Sequence, residues 1–309
     1  MPTRLETFAS VRPLLFSIAY RMLGSVMDAE DLVQDAYLRW QEAPDVDVRV
    51  PQAYLATIVT RLAINELKSA RRDRETHWGL WLPEPLVTEQ GADPSGRVEL
   101  AESLSLAFLM LLERLGPVER AVFLLHDVFD FEYAEIARIV DKSEPNCRQL
   151  LARARQHVSS PRARFEADPA QAARLVDRFN QAAQAGDVDG VVALLAEDIT
   201  LWAEGESTVG APPERIRGVT TLDLARGIGP HEPIRGATQV AQFIARGFRS
   251  VAWLGSVTRF TEINGQKGIV VYVAGRPQGA LVFDVRGNRI QTIYAITNRA
   301  KLKRLPALT

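Results

Sequence analysis

The 309-residue sequence contains one cysteine and four histidines, and these low counts limit the chemistry that the chain can carry. A single cysteine cannot close an internal disulfide, which is typical of a protein kept in a reducing compartment. The histidines are scattered, without the spacing of metal ligands. Residues 1–6 lack the apolar core of a signal peptide. The longest apolar run of the mid-chain, Leu106–Leu112, is too short to span a bilayer. We therefore predict a cytoplasmic protein without a metal or another cofactor.

The sequence also lacks a strong net charge, since 37 basic residues face 38 acidic ones and the formal net charge is −1. The total therefore gives no sign of nucleic-acid binding, but the distribution of the charges does. Residues 61–74 contain five basic and two acidic side chains, whereas residues 28–35 contain four acidic side chains and no basic one. Such segregation is typical of a protein that meets DNA with one face and a protein partner with another.

Residues 133–158 have the pattern of a helix-turn-helix whose second helix is basic. Ser143 is the predicted N-cap of that second helix, and Pro145 suits its first turn, where a missing N–H costs little. The apolar residues of this helix recur at helical spacing and predict one buried stripe. They are Cys147, Leu150, Leu151, Ala154 and Val158.

The polar residues of the same helix fall largely off that stripe, and we predict that they contact DNA in the major groove. They are Asn146, Arg148, Gln149, Arg153 and Arg155. Asparagine and glutamine read adenine edges, whereas arginine binds guanine edges or phosphates. The alternative interpretation is a solvated basic helix in a motif that serves only packing.

The chain before this motif is predicted to be helical up to about residue 75. A first amphipathic helix stops at Gly24, and Asp28 is the predicted cap of a second helix. A loop at residues 41–50 follows, and Pro51 opens a third helix. Proline and glycine then mark residues 76–100 as a linker, after which helices resume.

From about residue 168 the pattern changes to that of an α+β domain with antiparallel strands. Helices are predicted at residues 170–185, 188–196 and 236–247. Glycine-rich turns such as Asn264-Gly265 separate the later strands. The predicted strands are residues 199–203, 251–263, 268–274, 280–285 and 290–296.

The acidic stretch Ala29-Glu30-Asp31-Leu32-Val33-Gln34-Asp35 closely resembles a signature of the bacterial extracytoplasmic-function sigma factors. The resemblance implies two all-α domains, a sigma-two domain at residues 1–75 and a sigma-four helix-turn-helix domain at residues 101–160. It also implies two partners, namely promoter DNA and core RNA polymerase, the latter contacted through its β′ clamp helices and β flap. The residues implied to dock on the β′ clamp helices are Asp28, Glu30, Asp31, Gln34 and Asp35.

The third predicted helix resembles the element of these sigma factors that reads the minus-ten promoter region. The residues implied to bind DNA there are Arg61, Asn65, Lys68, Arg71 and Arg72. The preceding loop, residues 41–50, corresponds to the part that captures a flipped base during melting. Residues 112–158 resemble the sigma-four domain, whose helix-turn-helix binds the minus-thirty-five element.

The stretch Trp81-Leu82-Pro83-Glu84-Pro85 resembles the linker motif of sigma factors that carry a C-terminal SnoaL-like extension. This extension is a cone-shaped, NTF2-like α+β domain, and here it corresponds to residues 168–309. In that family it takes the place of a separate anti-sigma factor and contacts the sigma core through the linker. The residues implied in this interdomain regulation are Trp81, Leu82, Pro83, Glu84, Pro85, Glu204, Gly205, Asn298 and Lys301.

The sequence departs from the family pattern at several points. Asp141 stands where the turn of the helix-turn-helix usually has glycine, and aspartate is able to adopt the left-handed conformation that this turn needs. Cys147 replaces a usual valine and is predicted to be a small buried hydrophobe. In the extension, Glu204-Gly205-Glu206-Ser207 replaces Asp-Gly-Gly-Gly, and Arg299-Ala300 replaces Pro-Asp.

Other interpretations stay open at the level of the sequence. The extension can be a SnoaL-like enzyme fused to a DNA-binding regulator, with an acid or base in its cavity, or a pocket that binds a small ligand without chemistry. The residues proposed to line such a cavity are Trp202, Glu204, His231, Trp253, Tyr272 and Asp284. A regulator that binds duplex DNA without polymerase is disfavoured by the acidic cluster around Asp31. The linker motif at Trp81 can also be a passive spacer.

Overall fold

The computed structural model describes residues 3–42, 50–74, 80–88, 104–158, 168–205, 230 and 232–308, with the side chains of residues 70–74 left out. The chain divides into two compact units. One comprises residues 1–76 and 108–162, and the other comprises residues 77–107 and 163–309. The two predicted all-α regions thus fall into one unit, and the predicted linker falls into the same unit as the C-terminal domain.

The described parts of residues 4–74 and 106–158 are mainly helical, as the sequence predicts, whereas residues 80–88 of the predicted linker contain no helix. The helices are α1 (Arg4–Leu23), α2 (Val26–Glu42), α3 (Pro51–Arg74), α4 (Leu106–Leu112), α5 (Pro117–Asp127), α6 (Tyr133–Val140) and α7 (Glu144–Val158). Helices α1, α2 and α3 pack on one another, and α5 packs against α1 and α3.

Local signals set most of the helix ends. Thr3 and Glu6 form a capping box at the start of α1, and Gly24 ends it in the left-handed conformation with φ of 68°. Pro51 begins α3 as predicted. The predicted cap of α2 is wrong, because α2 already begins at Val26 and the Ser25 hydroxyl accepts the main-chain N–H of Asp28 at 3.2 Å. Asp28 therefore lies inside the first turn of α2.

A buried arginine ties three segments of the helical unit together. The Arg120 guanidinium donates to the carbonyl of Met22 at 2.6 Å and to that of Leu112 at 2.9 Å. The same side chain pairs with the Glu113 carboxylate at 2.8 Å. The last carbonyls of a helix have no partner within it, so Arg120 supplies donors to the C-terminal ends of both α1 and α4.

The second unit contains a mixed six-stranded sheet with helices packed on one face. Its elements are α8 (Pro169–Ala185), α9 (Val188–Val192), β1 (Leu195–Glu204), β2 (Ile234–Arg235), α10 (Ala237–Ala252), β3 (Val257–Ile263), β4 (Gln266–Val273), β5 (Arg276–Arg286), β6 (Arg289–Ile296) and α11 (Arg299–Leu302). The strand order is β2-β1-β6-β5-β4-β3. Helices α8 and α10 cover a core made by β1, β4, β5 and β6, in which Phe179 and Phe283 meet edge to face at 5.0 Å.

The α+β class is confirmed, but three details of the prediction are wrong. Strands β1 and β6 pair in parallel, whereas the other described pairs are antiparallel. The helix predicted at 188–196 ends at Val192, and β1 begins at Leu195. The strand predicted at 251–263 begins only at Val257, because α10 extends to Ala252. The β-branched and aromatic residues at this point fit either a strand or the end of a buried helix.

The turn at Asn264-Gly265 joins β3 and β4 as predicted, and both residues adopt positive φ, 54° and 71°. Two such residues match the twist of the flanking strands, which explains the Asn-Gly pair.

Among the described helices, no helix combines the length and the apolar character needed to cross a lipid bilayer.

Candidate functional site

The helix-turn-helix is formed by α6 and α7, with its turn at Asp141. Asp141 adopts the left-handed conformation with φ of 54°, as the sequence predicts. The predicted stripe of α7 faces inward: Cys147, Leu151 and Ala154 are buried, and Leu150 and Val158 are half-buried. Burial raises the pKa of the Cys147 thiol, so this residue behaves as the small hydrophobe that the sequence predicts.

The predicted DNA-binding side chains of α7 are all exposed. Asn146, Gln149 and Arg153 follow one another at spacings of three and four and therefore share one face of the helix. Arg148 and Arg155 flank this face and are held by neighbours. The Arg148 guanidinium pairs with Glu144 at 2.9 Å and lies 4.7 Å from the centre of the Tyr133 ring. We call Asn146, Gln149 and Arg153 the α7 face.

Arg155 is bound through both arms of its guanidinium to the carboxylate of Asp127, at 2.7 and 2.9 Å. Burial alone raises the pKa of Asp127, but hydrogen bonds from Arg155 and His126 outweigh it and leave the pKa below its ordinary value. The pair places a carboxylate beside a predicted phosphate contact. A phosphate has to displace Asp127 before it can use both arms of Arg155.

Asn65 and Lys68, two of the five predicted DNA-binding residues of α3, are exposed and make no side-chain hydrogen bond or ion pair among the described residues. Arg61, in contrast, donates to the carbonyls of Arg138 at 2.8 Å and Ile139 at 2.9 Å. These carbonyls belong to the last turn of α6, so α3 is joined to the first helix of the helix-turn-helix. The side chains of Arg71 and Arg72 lie outside the described residues.

Helix α2 presents the predicted acidic residues on its outer side. Asp31, Gln34 and Asp35 are exposed, whereas Asp28 and Glu30 are half-buried. Glu30 pairs with Arg12 of α1 at 2.5 Å. The sequence interpretation missed two apolar residues here, Met27 and Leu38, which are 55% and 51% exposed. Residues 27, 31, 34 and 38 recur at helical spacing, so one face carries Asp31 and Gln34 between two apolar side chains.

The linker motif lies against the C-terminal domain around one buried carboxylate, Glu204. Ala203 belongs to the core under the helices, so the side chain of Glu204 points to the opposite face of the sheet. Its carboxylate accepts the main-chain N–H of Leu82 at 2.7 Å and the Lys301 ammonium at 2.7 and 2.8 Å. Asn298 adds a further donor at 3.3 Å.

The same lysine also fixes the linker directly. Lys301 donates to the carbonyl of Leu82, and its ammonium lies 4.5 Å from the centre of the Trp81 ring. Leu82 is completely buried, and Pro83, Glu84 and Pro85 are buried as well. Gly205 follows Glu204 and is half-buried. The structure thus brings the predicted residues of both motifs together, and residues 81–85 pack against the C-terminal domain.

A second contact, which the sequence interpretation missed, holds the next part of the linker. The carboxamide of Asn264 accepts the N–H of Leu86 at 3.0 Å and donates to the carbonyl of Leu104 at 3.0 Å. Val87 pairs with Ile263, and Thr88 N–H donates to the Glu262 carbonyl at 3.0 Å. Residues 86–88 therefore pair with the edge strand β3 along its outer side. In the sequence the Asn-Gly pair predicts only a turn, and nothing in it indicates that the Asn264 carboxamide also binds the linker.

The C-terminal domain contains a half-open cavity of about 240 Å³ between α10 and the sheet. Its lining is mainly apolar and includes Phe243, Phe248, Val271 and Leu281. The described candidate acid or base residues do not line it. Trp202, Glu204, Tyr272 and Asp284 are absent from its walls, and Trp253 is 77% exposed. His231 lies outside the described residues.

Asp284 and Tyr272, which are buried like Glu204, lie elsewhere in the domain. Asp284 is buried, and burial raises the pKa of its carboxyl group. Tyr272 is buried too, and its hydroxyl donates to the Pro306 carbonyl at 3.0 Å. Among the described candidates, no acid or base residue therefore lies in the cavity wall.

Comparison with known proteins assigns both helical regions. Residues 7–73 match the family Sigma-70 region 2, and residues 105–158 match Sigma-70, region 4. The ECF RNA polymerase sigma factor SigJ of Mycobacterium tuberculosis is 40% identical over 273 residues, which cover 87% of this chain and 81% of SigJ. A probable ECF RNA polymerase sigma factor of the same organism, SigI, is 30% identical over 298 residues, 96% of this chain and 93% of its own length.

The likeness extends to the three-dimensional structure. The crystal structure of M. tuberculosis SigJ superimposes with a TM-score of 0.68 at 31% identity. The match covers 96% of this chain and 97% of the SigJ chain, so it includes the α+β domain as well as the helical regions.

Proposed function

Because the chain belongs to the extracytoplasmic-function sigma factors of RNA polymerase, we propose that separate surfaces of α2, α3 and α7 bring the polymerase to its promoters, under the control of the docked linker. The predicted fold class is confirmed: two all-α sigma regions precede an α+β SnoaL-like, NTF2-like domain. A sigma factor directs promoter recognition at the start of transcription, so core polymerase and promoter DNA are the partners. The roles of single residues below are proposals.

Helix α2 is proposed to dock on the β′ clamp helices of the polymerase. Asp31 and Asp35 supply exposed negative charge, and Met27 and Leu38 supply apolar area on the adjoining surface. Buried apolar contacts give an interface its core, while charges around them steer association and exclude wrong partners. The sigma-four region is proposed to meet the β flap while its α7 face reads DNA.

The α7 face is proposed to read the minus-thirty-five element, and α3 the minus-ten region. Asn146 and Gln149 suit adenine edges, and Arg153 suits a guanine edge or a phosphate. On α3, the exposed residues Asn65 and Lys68 are proposed to contact DNA. If Arg153 contacts a phosphate, Arg153→Ala lowers the slope of log affinity against log salt by about 1. Arg174→Ala, an exposed site on α8, is the matched control.

The single observation that supports control by the C-terminal domain is the Glu204 carboxylate, which binds Leu82 of the linker and Lys301 at once. A buried ion pair of this kind is costly to break, since removal of one partner leaves the other charge without compensation. The contact is therefore proposed to hold the linker on the C-terminal domain and, through the linker, to control the activity of the sigma regions.

The extension is proposed to act without catalysis. Sigma factors are not an enzyme family, and the described candidate acid and base residues, Glu204, Tyr272 and Asp284, do not line the cavity. The site of action is proposed to be wherever RNA polymerase transcribes, that is, the cytoplasm. A ligand of the cavity remains part of the proposal and is specified below.

The decisive experiment is transcription in vitro from genomic DNA with core RNA polymerase, followed by sequencing of the transcript ends. The full-length protein is expected to yield transcripts that share two sequence elements upstream of their starts. Glu204→Gln is expected to change their yield without changing the elements. Transcripts that are independent of the added protein, together with no binding to core polymerase, would overturn the proposal.

A further inference from the structure

We propose that the cavity of the C-terminal domain binds a small amphipathic acid, and that the bound acid stabilises the docked linker. This inference rests on the proposed control by the linker and names the ligand class that acts on it. Three features carry it: the size of the cavity, its one charged wall residue, and a hydrogen-bonded path to Glu204.

The size and the walls of the cavity suit a compact apolar body. A dry cavity of about 150 Å³ with apolar walls is known to bind benzene, which has six heavy atoms. In proportion, 240 Å³ accommodates roughly ten heavy atoms. The apolar walls come from α10 and from three strands, with Ile244, Val251 and Ala295 added to the residues named above.

Apart from Ser250 of α10, whose hydroxyl donates to the Gly247 carbonyl at 2.6 Å, the polar side chains of the wall come from the sheet and from the segment that follows it. They are Gln278, Thr297 and Arg299, of which Arg299 is the one charged side chain among the described lining residues. Arg299 is exposed, so it stands where the half-open cavity meets solvent. A guanidinium binds a carboxylate through two parallel hydrogen bonds, whereas it repels an ammonium group. The expected ligand is therefore an acid and not an amine.

Thr297 connects the cavity with the linker. Its side chain lines the cavity, while its hydroxyl and its main-chain N–H both donate to the Glu204 carbonyl at 2.9 Å. The Glu204 carboxylate, on the other face of the sheet, holds Leu82 and Lys301. Arg299 and Lys301 also belong to the same short helix, α11. An acid that contacts Thr297 and Arg299 therefore orders the segment that contains Lys301 and that binds the main chain of Glu204.

The sign of the effect follows from linkage. A ligand that fits the docked geometry better than the undocked one shifts the equilibrium towards docking, and docking raises the affinity for the ligand by the same factor. Couplings of this kind typically lie between about 5-fold and about 150-fold. We therefore expect that loss of docking lowers the affinity for the acid by at least about five-fold.

Octanoate, with ten heavy atoms, is the first probe, and octan-1-ol is its uncharged counterpart. Calorimetry with the full-length protein is expected to show octanoate binding that Arg299→Gln weakens by about three-fold or more, since an exposed pair contributes modestly. Arg304→Gln, an exposed arginine away from the cavity, is the matched control and leaves binding unchanged. Equal binding of octanol and octanoate would contradict the proposed acid recognition.

A second variant tests the location. A Cβ atom added at Gly247, a lining residue in α10, meets nothing within 4 Å, so Gly247→Leu has room to fill part of the cavity. It is expected to abolish octanoate binding while the thermal unfolding midpoint stays the same or rises. Undiminished binding by this variant would place the ligand elsewhere and overturn the proposal.

The coupling itself is read from amide exchange at Leu82, Leu86 and Thr88, whose N–H groups bond to the C-terminal domain. Saturating octanoate is expected to slow exchange at all three. Asn264→Gly removes the carboxamide that holds the linker but keeps the left-handed backbone, and it is expected to weaken octanoate binding by at least about five-fold. Asn288→Gly, in the exposed turn after β5, is the matched control.

The two levels of the proposal fail separately. If octanoate binds but neither slows exchange nor responds to Asn264→Gly, the coupling is wrong, while control by the linker is still tested by transcription with Glu204→Gln. If Glu204→Gln leaves transcription unchanged although octanoate slows exchange, control by the linker is wrong and the ligand site stands.

Discussion

Glu204 accepts the main-chain N–H of Leu82 at 2.7 Å, although the two residues are 122 positions apart in the chain. Both are buried, at 6% and 0% exposure, so this bond is shielded from water. A carboxylate that accepts a backbone N–H inside a protein forms a stronger hydrogen bond than neutral groups do. One side chain thus links the linker with the strand that precedes the region 206–229.

Substitution of this carboxylate tests the link. Glu204→Gln removes the negative charge that pairs with Lys301, and we expect the free energy of unfolding of the C-terminal unit to fall by about 1–3 kcal/mol. Amide exchange at Leu82 should speed up in the same variant. Denaturant titration and exchange mass spectrometry give both values. Glu197→Gln, exposed on the same strand, is the control, and an equal loss of stability there would contradict a specific role for Glu204.

Charge reversal on α2 tests the polymerase surface. The double variant Asp31→Arg, Asp35→Arg is expected to lower the affinity for core polymerase at least ten-fold, because like charges placed across an interface cost several kcal/mol. The helical content measured by circular dichroism should not change, since both side chains are exposed. Asp177→Arg, an exposed acid on α8, serves as the control. Polymerase binding that survives the double variant would remove α2 from the interface.

Arg61 offers a test of how α3 and α6 are joined. Arg61→Ala removes both donors to the last turn of α6, and we expect the helical unit to lose about 1–2 kcal/mol of stability. Arg61→Lys should restore part of this loss through a single donor. If instead neither variant affects stability while promoter affinity falls, the contact with α6 does not stabilise the fold, and the role of Arg61 is limited to DNA binding.

The Asp127–Arg155 pair gives the helix-turn-helix a dependence on pH. The folded state lowers the pKa of Asp127, so the stabilisation is fully present above the ordinary value near 4 and is lost as the pH falls through the lowered value. Asp127→Asn is therefore expected to flatten the dependence of stability on pH below about 4. Unfolding at a series of pH values measures this. Asp130→Asn, an exposed neighbour, should retain the dependence of the unmodified protein.

Local sequence signals predicted the elements whose ends are determined locally. Gly24, Pro51 and Asp141 act through their own backbone conformations, and the structure has all three in the predicted places. Asp28 failed as a cap because Ser25, three positions earlier, offers a hydroxyl at the start of the same helix. Several residues suited that role, and the pattern of apolar positions did not decide between them.

The features that the sequence did not predict depend on contacts between distant segments. Nothing around Leu195 or Arg289 signals that β1 and β6 run in parallel. Asn264 shows the same limit, because a turn residue gives no sign of the chain that its carboxamide binds. The linker motif was recognised through resemblance to a family, whereas its partners at Asn264 and Glu262 required the folded chain.

The burial of Cys147 has a practical consequence for kinetics. It is the single cysteine of the sequence, it is the first residue of the apolar stripe of α7, and it has no exposed surface. A thiol reagent can therefore modify this protein at one atom only, and only when the helix-turn-helix opens. The rate of alkylation therefore measures how often the helix-turn-helix opens. The measurement works on the full-length chain, free or bound to polymerase, and needs no added label.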